Sequence, residues 1–409
     1  MLYRRFLYSA SIAIAGFAAA VFLVSSSSAA SDYAVLYNFT GGNDGGNGAT
    51  ALTFDGAGNA YGTTVTGGNA DCGTIFKLAP LGHGQWNETT LYNFSCGNDG
   101  KNPHGGLTFD SVGNLYGTTV AGGSGGFCTG DGCGVVFELT PSGERVLYNF
   151  TGNNDGFGPG GQVVFDQAGN LFGTAPDGGS HMAGVVYELT FRNGSWHQKV
   201  IHAFTGGVDG ALGSLGALLV DASGKLYGVT EIGGLHSAGT AFRLAPRQDG
   251  SYNFTTVYAF NGQPDAGSPY GGLIPDAAGN LYGTTYFGGA SGQGTVYELT
   301  PKHGGWTEQV LYSFKGGNDG SLPTSTLVLD ANGNLDGTTT AGGHPLCDCG
   351  TVFRLKPNPW REVILHRFGN SRDGTNPLYG LASNGSRNFF GATPAGGLHG
   401  QGAIFEIAP

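Results

Sequence analysis

Seven aspartates stand at one spacing through the chain. Asp44, Asp99, Asp155, Asp209, Asp265, Asp319 and Asp373 each follow a phenylalanine (Phe39, Phe94, Phe150, Phe204, Phe260, Phe314 and Phe368) by five residues. Carboxylates repeated so regularly could ring one face and hold Ca²⁺, or each could accept backbone N–H bonds and close a turn. Calcium needs about six to eight oxygens gathered at one point. One Asp per repeat, with no D-x-D-x-D cluster, does not gather them. The residue after each Asp is Gly, Ala266 excepted, which suits a chain reversing direction. The spacing therefore predicts joints rather than seven active sites.

Chemistry in a repeated chain is expected where the copies disagree. After a Thr-Thr pair or its equivalent, most repeats continue blandly, as Val65-Thr66, Val120-Ala121 and Thr340-Ala341. Three consecutive repeats do not. They carry Pro176-Asp177 and then His181, Glu231-Ile232 and then His236, and Tyr286-Phe287. Asp177, His181, Glu231, His236, Tyr286 and Phe287 thus form a candidate binding face in one sector. Such a set could bind a metal, run acid–base chemistry or stack a sugar ring. The plainer alternative is a solvated polar rim, and His399, at the same offset as His236 in "GGLH", weighs on that side. A further departure is Asp336, which replaces the Tyr of "NLYGTT". It is either local drift or a carboxylate facing the pore or a neighbouring repeat. No catalytic residue emerges from these comparisons.

The elements that must position these residues are legible from the repeat. Glycine supplies 79 of 409 residues, yet no G-x-y period exists, and 26 Phe with 18 Tyr are too many for a chain without a core. The phenylalanines recur every 54 to 56 residues. Each period holds four strand candidates, such as "GGLTFD", "NLYGTT", "GVVFELTP" and "RVLYNF". Val, Leu, Tyr, Phe and Thr dominate them, and no helical spacing interrupts. The D-x-x-G-N joint between the first two suits a type I turn, with Asp bonding amides and Gly at positive φ.

Four strands in each of seven repeats predict an all-β, seven-bladed β-propeller over residues 31–409. The phase strengthens this. The chain after residue 30 begins with a fourth-type strand, "YAVLYNF", and ends with a third-type strand, "GAIFEIAP". Pairing them would complete the last blade and close the ring, leaving no free edge. A solenoid would instead want capping repeats at its ends.

The same phase pairs the cysteines. Cys72 opens the third strand of blade one and Cys96 follows its fourth, so a bridge between them is natural. Cys128 and Cys133 lie in one loop, which leaves Cys347 with Cys349. A zinc site using His344 is the rival for that last pair.

Residues 1–30 differ from the rest. Arg4 and Arg5 precede an apolar run from Phe6 to Val24, and "SSSSAAS" follows, the layout of a secretory signal peptide cut after Ala30. An uncleaved membrane anchor is the alternative. The chain is expected to be secreted, extracellular or periplasmic, monomeric, and free of the membrane once cut. With 29 acids against 18 Lys and Arg, it is a poor nucleic-acid binder. "GGSGG" at 122–126 fits G-x-S-x-G but lies between strands with no helix to follow, so no nucleophile elbow is expected.

The unit "GGLIPDAAGNLYGTTYFGGASGQGTVYELTP" at 271–301, with its D-x-x-G-N-L-Y-G-T-T and G-T-V-F words, resembles the GloVer-type choice-of-anchor tandem repeats of exported bacterial proteins. The likeness runs through residues 33–409. It implies export and a surface role but brings no agreed activity and no catalytic residues. No terminal anchor is recognised here, a departure that bears on surface attachment. The first two strands also look like those of NHL-type and streptogramin-lyase-type propellers, which include binders and enzymes. Together these readings predict a binding or structural module for carbohydrate or cell-envelope polymer, without a cofactor. The alternative is a lyase or lactonase using a divalent metal held by loop His, Asp and Glu.

Overall fold

A computed structural model describes residues 32–48, 51–128, 130–213, 216–369 and 372–409. The signal-peptide reading falls on residues outside these. Seven antiparallel blade sheets follow one another along the chain, six of them with their strands in sequence order from the inside outwards, and blade six adds a two-stranded hairpin, Gly343–His344 with Cys347–Asp348. In the first, the short inner strands Gly46–Gly48 and Thr53–Phe54 pair with Ala60–Thr66, which pairs with Thr74–Gly82 and then Gln85–Asn93. The fifth repeats this with Ala266–Pro269 and Ile274–Pro275, Leu281–Gly288, Thr295–Lys302 and Gly305–Ser313. This is a seven-bladed β-propeller. A single 3₁₀ turn, Gly317–Asp319, is the only helical element among the described residues.

The seventh blade is built from both ends of the chain. Leu381–Ser383, Phe389–Thr393 and Ala403–Ala408 are completed by Asp32–Asn38, antiparallel, with Tyr33 opposite Ile407 and Val35 opposite Phe405. The spare strand thus fills the missing place, as its phase predicts.

The core is a ring of inter-blade staples. Each phenylalanine that follows an outer strand is fully buried and meets, edge to face, an aromatic on the third strand of the next blade. The seven pairs are Phe39–Phe76, Phe94–Phe137, Phe150–Tyr187, Phe204–Phe242, Phe260–Tyr297, Phe314–Phe353 and Phe368–Phe405. Their centroids lie 4.9–5.3 Å apart. Aromatic pairs prefer this geometry because ring edge and ring face carry opposite partial charge. The Gly of "YGTT" makes room for it. A Cβ on Gly117 would stand 2.5 Å from the Phe137 ring, so a side chain there would expel the staple.

All three cysteine pairs form disulfides: Cys72–Cys96, Cys128–Cys133 and Cys347–Cys349. Cys347 and Cys349 are therefore spent on each other. The D-x-x-G-N joints turn as expected. Asp110 accepts from the Val112 and Asn114 amides at 3.0 and 2.9 Å, and Gly113 has φ 94°.

Candidate functional site

Two kinds of position stand out from this frame. The first is the recurrent aspartate. Asp44 accepts bonds from the Thr40 amide and from the Tyr37 hydroxyl, both at 2.9 Å. Asp99 does the same with Ser95 and Tyr92, Asp155 with Thr151 and Tyr148, and Asp319 with Lys315 and Tyr312. Asp209 holds the Thr205 amide and His202, Asp265 holds Asn261, and Asp373 holds His366. Six of the seven carboxylates are engaged by their own turns, and Asp373 is engaged by His366 of the outer strand leading into it.

The second is the mouth of the axial channel. A cavity of about 210 Å³ draws its lining from all seven blades, including Leu52, His104, Gln162, Ala217, Tyr270, Thr324 and Tyr379, so it lies on the axis. A second, of about 380 Å³, is lined by Glu231, Tyr270, Tyr286, Thr324 and Leu378. Tyr270, Thr324 and Leu378 belong to both, which makes one continuous depression leading into the channel.

Local sequence explains how these side chains arrive there. Glu231 and Tyr286 each take the first place after the buried threonines that end a second strand; Val65, Val120, Pro176, Thr340 and Pro394 hold it in the other blades. His104, Tyr270, Thr324 and Leu378 each follow a proline (Pro103, Pro269, Pro323 and Pro377), on the innermost strand in blades two and five and just past an isolated bridge in blades six and seven. Tyr270 and Tyr286 lie 6.2 Å apart between ring centroids, and Tyr286 meets Phe287 edge-on at 4.5 Å. Burial pushes the Glu231 carboxyl above its ordinary value. Burial, and then the Glu231 charge, push the Tyr270 hydroxyl up. Deeper in, the Tyr379 hydroxyl lies 3.0 Å from Nε2 of His104, spanning the channel between blades seven and two. Burial pushes His104 below its ordinary value, so this imidazole is neutral at neutral pH.

Of the six face candidates, Glu231 and Tyr286 meet in this depression. Asp177, His181, His236 and Phe287 lie outside its lining. Asp177 and Phe287 hold the second place after the threonines, one residue beyond the position that enters the depression. Asp177 pairs through its backbone with Phe157, and Phe287 is half exposed. His181 and His236 sit on exposed loops, the former 2.9 Å from the Ser180 hydroxyl. Among the described residues no three His, Cys, Asp or Glu side chains converge as metal ligands would.

Tyr270, His104 and Tyr379 line the depression or the channel, and the loop comparison passes over them. The signal was present: the residues after Pro103, Pro159, Pro269, Pro323 and Pro377 are His, Gly, Tyr, Thr and Leu, a position as variable as the loops.

Asp336 lies elsewhere. It is fully buried in blade six and grips Arg354 on the neighbouring strand through two bonds of 2.8 and 2.9 Å. Burial pushes its carboxyl up to about 6 against the pull of that guanidinium. Arg354 also lies over the Phe389 ring of blade seven at 5.9 Å. The exchange of Tyr for Asp is thus answered by an arginine.

The sequence profile of the Gloeobacter/Verrucomicrobia repeat matches residues 13–215 and 214–409. No curated protein matches. Among solved structures, the extracellular domain of a candidate hybrid two-component system from B. thetaiotaomicron superposes with a TM-score of 0.52 at 10% identity. The match covers 92% of this chain but 41% of that one, so this chain spans about two fifths of its length. A candidate 6-phosphogluconolactonase from Bacteroides fragilis superposes with a TM-score of 0.51 at 11% identity, over 84% of this chain and 86% of that one. At such identities these likenesses bear on the fold alone.

Proposed function

This chain belongs to the Gloeobacter/Verrucomicrobia repeat family, and from that premise we propose that it is an exported propeller that binds a carbohydrate or cell-envelope polymer at its axial mouth. The observation that carries this is the meeting of Glu231, Tyr270 and Tyr286 in one depression. At the position of Glu231 and Tyr286 the other blades have Val, Thr or Pro. Tyrosine rings offer flat apolar faces to the C–H side of a sugar ring, while phenol, carboxylate and the Thr324 hydroxyl take its polar rim. Three disulfides favour an oxidising compartment, in keeping with a signal peptide over residues 1–30. The metal-dependent lyase or lactonase reading finds no donor set among the described residues.

The test is calorimetric titration of residues 31–409 with a panel of oligosaccharides and envelope polymers. Binding is expected in the micromolar to millimolar range, weakened at least ~10-fold (about 1.4 kcal/mol) in Tyr286→Val and Tyr270→Ala. If no member of the panel binds, or if both variants bind as tightly as the parent, the axial site is not a saccharide site.

A further inference from the structure

We propose that the group recognised at this mouth is an ammonium: the saccharide carries a free amine, which Glu231 receives beside the rings of Tyr270 and Tyr286. The inference rests on the carbohydrate reading above and narrows it to a chemical class.

The first ground is the state of Glu231. Its side chain lies partly buried in the cavity wall, yet no hydrogen bond or ion pair from a described residue engages it. The joint aspartates accept hydrogen bonds within their joints, buried Asp336 is held by Arg354, and the buried joint acids Glu308 and Glu362 each face a neighbouring carboxyl. A carboxylate half removed from water and left unpaired is costly unless something else compensates it. A ligand cation would do so. It would also pull the carboxyl back toward its ordinary value, against the upward push of burial.

The second ground is what surrounds it. Neither cavity has a Lys or Arg in its lining, and His104 is held neutral by burial. A phosphate, sulfate or uronate entering here would meet one negative charge and no positive one. An ammonium meets the carboxylate and two electron-rich ring faces, and a cation within about 6 Å of a tyrosine ring is attracted to it. The chain's net charge of −11 also raises the local concentration of cations.

The third ground is why the cation should sit on a sugar. Beyond the carboxylate, the lining is Thr324, Leu378 and the faces of two tyrosines, a mixture of hydroxyl and flat apolar surface. A slender polyamine uses little of that. A pyranose ring uses all of it.

The experiment is titration, at about pH 6 where amines are charged, of the parent protein and Glu231→Gln. The probes are a glucosamine tetramer, its N-acetylated counterpart, a glucose tetramer and spermidine. The glucosamine tetramer is expected to bind at least ~10-fold more tightly than the other two saccharides and than spermidine. Added salt should erode that margin. In Glu231→Gln the margin of the glucosamine tetramer over its acetylated counterpart should vanish, while the melting temperature holds. Equal binding of the free and acetylated tetramers by the parent, both lost in Tyr286→Val, would overturn the ammonium and leave the carbohydrate reading standing. Spermidine binding as well as the glucosamine tetramer would overturn the saccharide. Silence from all four probes would sink the inference, and silence across the wider panel would sink the reading beneath it.

Discussion

The blade joints and the axial mouth are both places where the copies differ, but they differ in opposite ways. At each joint the Asp binds a residue of its own outer strand, and a third residue from the next blade's outer strand packs on the pair. Where the partner is tyrosine, the third residue is acidic or its amide: Glu88 beside Asp44, Glu144 beside Asp99, Gln198 bonding the Asp155 carbonyl, Glu308 beside Asp265 and Glu362 beside Asp319. Where the partner is histidine, the third residue is aromatic and stacked. Phe254 lies on His202 at 4.0 Å and 10°, and Tyr33 lies on His366 at 3.7 Å and 4°. Two exchanges always travel together. At the mouth they do not: Glu231 replaces Val or Thr with no neighbouring cation to answer it. Compensated variation preserves a fold, whereas uncompensated variation in a cavity points to something outside the chain.

The comparison breaks most readily at the staples. Phe204→Ala removes a fully buried ring wedged between blades three and four. It is expected to cost about 3–5 kcal/mol, since transfer and cavity terms add. Denaturant melts would register that loss, and saccharide affinity measured well below the melting point should not move. A cost under about 1 kcal/mol would mean that the ring does not depend on its staples.

Much of the frame was legible in the sequence because its signals are local. The 54-to-56-residue period, the D-x-x-G-N turns and the complementary ends each lie within a short window or at a chain terminus. Blade phase paired Cys72 with Cys96, because antiparallel neighbours bring those strand ends together, while Cys128 and Cys133 share one loop and Cys347 and Cys349 were the pair left over. The third member of each joint was not legible. Glu362 reaches Tyr312 from 50 residues away, and nothing local to Asp319 names it. Of the candidate face, Glu231 and Tyr286 come to the axial depression while Asp177, His181, His236 and Phe287 do not line it, a sorting that depends on how each loop folds back and not on a local pattern. Asp336 shows what strand register adds. Tyr116 bonds Glu138 and Tyr282 bonds Glu298 across the same rung that Asp336 shares with Arg354. Both partners change in that one blade.

A smaller effect follows from the acid pairs, and it depends on pH. Burial, with Asp265 beside it, pushes Glu308 from 4.5 up to about 8. Burial, with Asp319, pushes Glu362 up to about 9, and burial, with Asp99, pushes Glu144 to about 7. At neutral pH Glu308 and Glu362 are mostly protonated and Glu144 about half so, with a neighbouring tyrosine and, at Glu362, Arg367 facing the group. A carboxyl raised on folding stabilises fully below its unfolded value, and that contribution is lost as pH climbs through the folded one. Asp99 and Asp265 are lowered instead, by hydrogen bonds from their turns that outweigh burial, so their contribution is lost on the acid side. The melting temperature is therefore expected to peak on the acidic side of neutrality and to fall between pH 7 and 9. In Glu308→Gln/Glu362→Gln the amide donates at every pH, so the alkaline fall should flatten. An unchanged slope in the double variant would show that Glu308 and Glu362 do not hold protons at neutral pH.

The smallest expected effect on stability belongs to the mouth, and it sharpens the comparison most. Tyr286→Val gives blade five the residue that blades one and two already carry at that position, Val65 and Val120. The backbone there is the end of a strand in all three, so valine needs no rearrangement. Tyr286 touches Tyr270 and Phe287 but lies at the open end of the depression, and its loss leaves no sealed cavity. Stability should therefore shift by no more than about 0.5 kcal/mol, within the scatter of a thermal melt, while saccharide binding falls. A joint residue has the reverse profile, costly to the fold and silent in binding. If Tyr286→Val destabilised the propeller as Phe204→Ala is expected to, the tyrosine would be another staple, and the difference between the two regions would collapse.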